Sequence, residues 1–216
     1  MSTAILIFAK APRAGLAKTR LIPALGAEGA ALLAGHMLEH SVQQAMETGV
    51  EHIELCVTPD VSDPAFQALA QQHDGRLAFS QQGEGDLGAR MLSALSRTLQ
   101  AHDRVLLMGT DAPALTAHVL AQANDALLEH DAVFVPAMDG GYALAGLRQA
   151  HESLFSDMPW STQAVMQETR HRLRALGCSW HELPAVADID EPADIIHIPE
   201  GWTGLSSGHF QTRPKT

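Results

Sequence analysis

Residues 3–21 read Thr3-Ala4-Ile5-Leu6-Ile7-Phe8-Ala9-Lys10-Ala11-Pro12-Arg13-Ala14-Gly15-Leu16-Ala17-Lys18-Thr19-Arg20-Leu21. The run Thr3-Ala4-Ile5-Leu6-Ile7-Phe8 predicts a buried strand, because it is apolar, short and rich in β-branched residues. It passes directly into a loop holding four cations, Lys10, Arg13, Lys18 and Arg20, with Pro12 and Gly15 shaping the turn. The whole chain has only 14 lysines and arginines in 216 residues and a net charge of -11. Four cations at one strand end are expected where a phosphorylated ligand is held; the alternative is a solvated surface loop. In an open α/β sheet that edge is where ligands bind, and ammonium and guanidinium groups suit phosphate oxygens. The loop has neither the spacing of a Walker loop nor that of a dinucleotide fold.

Beyond this loop, apolar runs and helical periodicities alternate. Strands are expected at 4–8, 53–58, 77–80, 105–109, 132–136, 142–147 and 179–183, and helices at 27–48, 64–72, 87–100, 117–128, 162–176 and 192–196. Such alternation predicts an α/β protein with a mostly parallel sheet covered on both faces. Residues 1–200 are expected to form one domain, within the usual size for a single core. From Gly201 the chain becomes rich in Gly, Ser and Thr and ends in Arg213-Pro214-Lys215, so 201–216 is expected to be a flexible tail.

Composition excludes several classes. A charge of -11 argues against nucleic-acid binding. It also means that an anionic ligand needs a local cationic pocket or a metal. No apolar stretch is expected to reach the length of a membrane span. Met1-Ser2-Thr3 has no basic segment ahead of its apolar run, which argues against a signal peptide. Two cysteines, Cys56 and Cys178, form no disulfide framework, so a cytosolic protein is expected.

Further segments carry chemical side chains to strand ends. Val105-Leu106-Leu107-Met108-Gly109-Thr110-Asp111-Ala112-Pro113 ends a hydrophobic strand on Asp111. A carboxylate there can hold a hard divalent cation, Mg²⁺ or Mn²⁺, against phosphate oxygens; alternatively Asp111 or Thr116 caps the next helix. Ala187-Asp188-Ile189-Asp190-Glu191-Pro192 offers Asp188 or Asp190 as a second metal ligand, while Asp190 also reads as an N-cap with Pro192 near N1. In Glu84-Gly85-Asp86-Leu87-Gly88-Ala89-Arg90-Met91, Gly85 and Gly88 permit close backbone approach where a helix begins, and Asp86 also reads as its N-cap. Asp139-Gly140-Gly141-Tyr142 places paired glycines beside the only tyrosine, and Pro159-Trp160-Ser161-Thr162 offers Trp160 for packing or ligand contact, with Ser161 or Thr162 as a cap. His36-Met37-Leu38-Glu39-His40 matches an inverted zinc-protease pattern. Its histidines are expected on the solvent side of a helix with no third ligand, so zinc hydrolysis is not predicted. No nucleophile elbow occurs.

Taken in order, FAKAPRAGLAKTRL, GEGDLGARM, LLMGTDAPALT, DGGYALAGL, MPWST and DIDEPADI span residues 8–195. This ordered set resembles the bacterial family of small GT-A-type transferases long labelled a domain of unknown function and associated with radical-SAM partners. It is more distantly similar to molybdenum-cofactor and phospholactate guanylyltransferases. The resemblance implies a Rossmann-like three-layer sandwich of the nucleotide-diphospho-sugar transferase (GT-A) type. It implies that Lys10, Arg13, Lys18 and Arg20, with Gly15, face phosphates, and that the loop carrying Gly85, Asp86 and Arg90 lies near base or ribose. Asp111 stands where the metal-binding acid of such proteins sits, but the strand ends in Thr-Asp-Ala rather than a full DxD, which makes Asp190 or Asp188 the candidate partner. The first loop lacks the Gly-Gly pair of the guanylyltransferases, favouring a sugar transferase. The expected substrates are a nucleotide sugar, or an NTP, and a small-molecule acceptor. Gly140, Gly141, Tyr142 and Trp160 would shape the sugar or acceptor site, and Asp139 would be the general base. Nucleotidyl transfer and a catalytically silent nucleotide-binding module are the alternatives. A homodimer is compatible with this reading, and the oligomeric state is left open.

Overall fold

The computed structural model describes residues 2–202; most of the expected tail, 203–216, lies outside the described residues. Seven strands, β1 (Thr3–Lys10), β2 (His52–Thr58), β3 (Ala78–Gln81), β4 (Arg104–Met108), β5 (Ala132–Pro136), β6 (Tyr142–Leu147) and β7 (Trp180–Glu182), form one sheet in the order β3-β2-β1-β4-β6-β5-β7. All pairings are parallel except those of β6, which runs antiparallel to β4 and β5. The helices are α1 (Ile22–Glu47), α2 (Pro64–Gln72), α3 (Leu87–Thr98), α4 (Ala117–Ala126) and α5 (Val165–Leu176).

Strand residues alternate between two cores because successive side chains point to opposite faces. Ile5, Ile7, Leu55, Val57, Leu106 and Met108 pack with Leu38 and Val42 of α1, Phe66 of α2 and Leu120 of α4. Ala4, Leu6, Val105, Leu107, Phe134 and Ala145 pack with Met91 and Leu95 of α3 and Met166 and Leu173 of α5. Both faces are thus buried, as a parallel sheet requires. This is the three-layer α/β sandwich expected.

Several boundaries differ from the sequence reading. β1 runs on to Lys10, paired with Thr58, so Lys10 is a strand residue rather than a loop residue. α1 begins at Ile22 and breaks at Gly26 (φ 73°, ψ 167°), which is why regular periodicity started only after it. A window of Thr19–Glu47 is long and apolar enough by composition to cross a membrane, contrary to expectation. Many of its apolar residues are buried inside the protein, Leu38 and Val42 on the sheet and Leu25, Leu33 and Met37 against Ile189, while Leu32 is exposed. The fifth helix begins at Val165, capped neither by Ser161 nor by Thr162; Thr162 accepts instead from the Ala164 N–H before it. Pro192–His197 is a 3₁₀ turn whose N-cap is Glu191, not Asp190, closed by a capping box with Asp194. His36 and His40 are not on a free solvent face: both rings lie against Trp202, and His40 Nε2 is 2.9 Å from the Pro113 carbonyl.

One buried polar cluster lies away from the cleft. Glu54, 3% exposed, is gripped by both Arg97 Nη atoms at 3.0 and 2.5 Å and also accepts from Ser80 and Cys56. Burial works to raise its carboxyl pKa, but Arg97, Ser80 and Cys56 outweigh it and hold the group down to about 2. A depressed carboxyl stabilises the fold above its unfolded pKa and loses that contribution as pH falls through the folded value. We expect the wild type to lose on the order of 2 kcal/mol more than Glu54→Gln between pH 5 and pH 2 in urea titrations. Equal acid sensitivity of the two proteins would contradict this assignment.

Candidate active site at the carboxyl edge of the sheet

The carboxyl ends of β1, β4 and β5 and the amino end of antiparallel β6 meet at one edge. Two cavities open there, of about 320 and 290 Å³, sharing Phe8, Asp111 and Asp190. The smaller is cationic, lined by Lys10, Lys18 and Arg20 with Thr19 and Thr110. The larger is acidic and aromatic, lined by Asp111, Asp139, Asp188 and Asp190 and by Phe8, Tyr142 and Trp160.

Lys18 joins the two. It adopts a left-handed conformation (φ 47°, ψ 46°) as the residue preceding the short 3₁₀ turn Thr19–Leu21. Its ammonium lies 2.5 Å from Asp111 Oδ1, 2.6 Å from Asp190 Oδ1 and 2.7 Å from the Ile189 carbonyl. Burial alone would lower the Lys18 pKa, but Asp111 and Asp190 outweigh it, so the ammonium titrates above its ordinary value. Asp190 reaches Asp111 because the Ile189 N–H donates to the Asp111 carbonyl at 2.9 Å, stitching the late segment to the end of β4. Arg20 stands farther out, 3.9 Å from Asp190.

Other predicted residues occupy different stations. Arg13 lines neither cavity; its Nε pairs with Asp63 at 2.6 Å, which fastens the cationic loop to the start of α2. Gly15 turns that loop at φ 76° in open space. Asp86 caps α3 by accepting from the Ala89 N–H at 2.8 Å, and Arg90 bonds the Asp86 carbonyl and Gln82. Gly85, Asp86 and Arg90 do not line the cavities, whereas their neighbours Leu87 and Met91 do. Asp139 Oδ1 accepts from the Gly141 N–H at 2.8 Å. Burial pushes the Tyr142 phenol above its ordinary pKa, and its ring meets Trp160 edge-on at 6.3 Å. Burial likewise raises the Asp188 carboxyl, with Asp139, Asp190 and Asp194 adding to the shift.

Sequence reasoning missed the apolar lining, Phe8, Leu87 and Met91, because such residue types signal core rather than site. It also missed Asp63, whose role depends on a partner fifty residues away. Among the described residues no three His, Cys, Asp or Glu side chains form a metal-binding group. The chemistry of the donor set nevertheless suits a hard divalent cation, since two carboxylates converge on one positive charge. Such an ion would need further oxygens from phosphates or water, the usual coordination of Mg²⁺.

A family model described as "Uncharacterized protein conserved in bacteria (DUF2064)" matches residues 41–162, more than half the chain. The chain belongs to this family. The chain is also similar to a solved structure from Desulfovibrio desulfuricans G20, provisionally named a nucleotide-diphospho-sugar transferase. That structure is 31% identical over 88% of this chain and 84% of its own, with a TM-score of 0.81. Two more distant structures share the fold. One is 4-diphosphocytidyl-2C-methyl-D-erythritol synthase from Anaerococcus prevotii DSM 20548 (12% identity, 91% and 95% coverage, TM-score 0.59). The other is glucosyl-3-phosphoglycerate synthase from Mycobacterium tuberculosis with Mn²⁺, UDP and glucosyl-3-phosphoglycerate (11%, 91% and 75%, 0.55). No curated protein matches the chain.

Proposed function

We propose that this DUF2064 protein is a glycosyltransferase using a nucleotide-sugar donor, with residues 1–200 as its catalytic domain. The observation that carries this reading is the pair of cavities in series, one cationic and one acidic and aromatic, meeting at Asp111 and Asp190. Lys10, Lys18 and Arg20 would bind the diphosphate by charge-assisted hydrogen bonds. The sugar would lie in the larger cavity, where carboxylates accept hydroxyl hydrogen bonds and the Tyr142 and Trp160 rings offer apolar faces to its C–H surfaces. Asp111 and Asp190 would hold Mg²⁺ or Mn²⁺, which supplies positive charge to the diphosphate leaving group. Asp139 keeps Oδ1 on the Gly141 N–H, and Oδ2 is the atom that would take the acceptor proton.

A nucleotidyltransferase would bring a phosphorylated acceptor to the nucleotide. Beyond the Asp111–Asp190 pair that holds the cation, Asp139 and Asp188 line the half of the cleft that the acceptor would enter, and like charge opposes an anionic acceptor there. The 31% identical neighbour carries a nucleotide-sugar name, which also favours the glycosyl reading.

The test is a thermal-shift panel of nucleotide sugars and NTPs with and without Mn²⁺, followed by product analysis. A ligand at a hundred times its dissociation constant stabilises by about 2.7 kcal/mol, which is readily seen. Metal-enhanced stabilisation by one family of nucleotide sugars, with nucleoside diphosphate as product, is the expected result. Pyrophosphate release from an NTP would transfer the assignment to nucleotidyl transfer, and a flat panel would refute both.

A further inference from the structure

We propose that Lys18 is an internal placeholder for the metal, closing the Asp111–Asp190 pair in the ligand-free cleft and competing with a divalent ion for it, and that a nucleotide's phosphates draw the lysine off, so that divalent ion and nucleotide bind as a coupled pair. This rests on the reading of Asp111 and Asp190 as the metal-holding acids.

The Lys18 ammonium donates to Asp190 Oδ1 and the Ile189 carbonyl and pairs with Asp111 Oδ1, all within 2.7 Å. Three oxygens already crowd it, so contact with a phosphate oxygen competes with these partners. A divalent cation held by both carboxylates would compete for the space between them that the ammonium now holds. Two positive charges that close repel strongly, and the lysine must leave for the ion to enter. It has somewhere to go: Lys18 also lines the cationic cavity with Lys10 and Arg20. A flexible four-carbon stem can swing between the two sites.

The backbone supports the same conclusion. Lys18 is one of four non-glycine residues at positive φ among those described, a conformation that costs energy for a residue with a Cβ. That conformation directs the stem at the acids, with the side chain only 9% exposed while Asp111 and Asp190 remain 50% and 41% exposed. A metal can therefore reach the acids from the cleft, yet finds one of their two negative charges already offset by Lys18. With only two protein carboxylates, the ion completes its shell with water or, when a nucleotide is bound, with phosphate oxygens. Phosphates would thus do two things together, drawing off the lysine and supplying ligands. By reciprocity, metal must then strengthen nucleotide binding by the same factor.

The experiment is a Mn²⁺ titration of the full chain, read by the electron paramagnetic resonance of free Mn²⁺, with no nucleotide present. Lys18→Met removes the charge and keeps the stem. It is expected to bind Mn²⁺ at least about tenfold more tightly than wild type, and the double variant Lys18→Met/Asp111→Asn is expected to lose that gain. Equal or weaker Mn²⁺ binding by folded Lys18→Met would overturn the proposal, as would a gain that survives in the double variant. Wild-type footprinting decides if Lys18→Met does not fold. Acetylation of Lys18, read by mass spectrometry, should be slow without metal and accelerate at saturating Mn²⁺; unchanged labelling would overturn it equally. Because no nucleotide is used, failure here leaves glycosyl transfer standing, and a flat nucleotide panel leaves this titration interpretable.

Discussion

Asp111→Asn is expected to lower turnover of the nucleotide sugar by about 10²–10³-fold, equivalent to about 2.7–4 kcal/mol of transition-state stabilisation. The substitution keeps the side chain's shape and the Asp111 carbonyl that accepts from Ile189 at 2.9 Å. It removes the charge that, with Asp190, holds the cation of the cleft, whether that cation is Lys18 or a divalent ion. Stability should change little, because the Asp111 side chain is half exposed and exposed ion pairs contribute at most about 1 kcal/mol. The variant should also lose the metal-dependent part of the nucleotide thermal shift. Near-wild-type turnover by Asp111→Asn would remove Asp111 from the chemistry and refute the metal–diphosphate reading.

Gly140→Ala is expected to cost stability rather than chemistry alone. Gly140 sits at φ 93°, and a Cβ there would stand 2.4 Å from the Gln163 carbonyl oxygen and 2.5 Å from the Gln163 Cα. The obstacle is backbone, so no rotamer relieves it. The Gly140 carbonyl also accepts from the Met166 N–H at 2.9 Å, fastening the β5–β6 turn to the first turn of α5. Strain and clash together should cost about 3 kcal/mol, a fall in Tm of about 6–12 °C for a domain of this size. Gly15→Ala is the matched control: its φ is 76°, but a Cβ there meets nothing within 4 Å, so about 1 kcal/mol is expected from conformation alone. Equal melting of the two variants would show that the Gly140 contact is not the cause. Since the same turn carries Asp139 and leads to Tyr142, donor binding should weaken as well.

Local chemistry was readable without the structure. Apolar runs located the strands, since a sheet buried on both faces needs continuous hydrophobic stretches. Asp86 and Thr116 were readable as caps because a cap is a contact between near neighbours, here with Ala89 and Val119. The cationic loop stood out by charge density against an acidic chain. Thr162 and Asp190 misled as caps for a reason equally local: several Ser, Thr, Asp and Glu residues crowd those helix starts, and only backbone dihedrals select among them.

The sequence by itself therefore determined the α/β alternation, the sheet edge that carries the cationic loop and the inventory of charges brought to it. All of these follow from short-range periodicity and from the side-chain period of a strand. Only the tertiary structure decided how those charges are paired. Arg13 is committed to Asp63, Lys18 to both Asp111 and Asp190, and Asp190 stands beside Asp111 because a single N–H of Ile189 reaches the end of β4. Each of these contacts joins residues far apart in the chain, and side-chain electrostatics acts over a few ångströms of space whatever the separation in sequence.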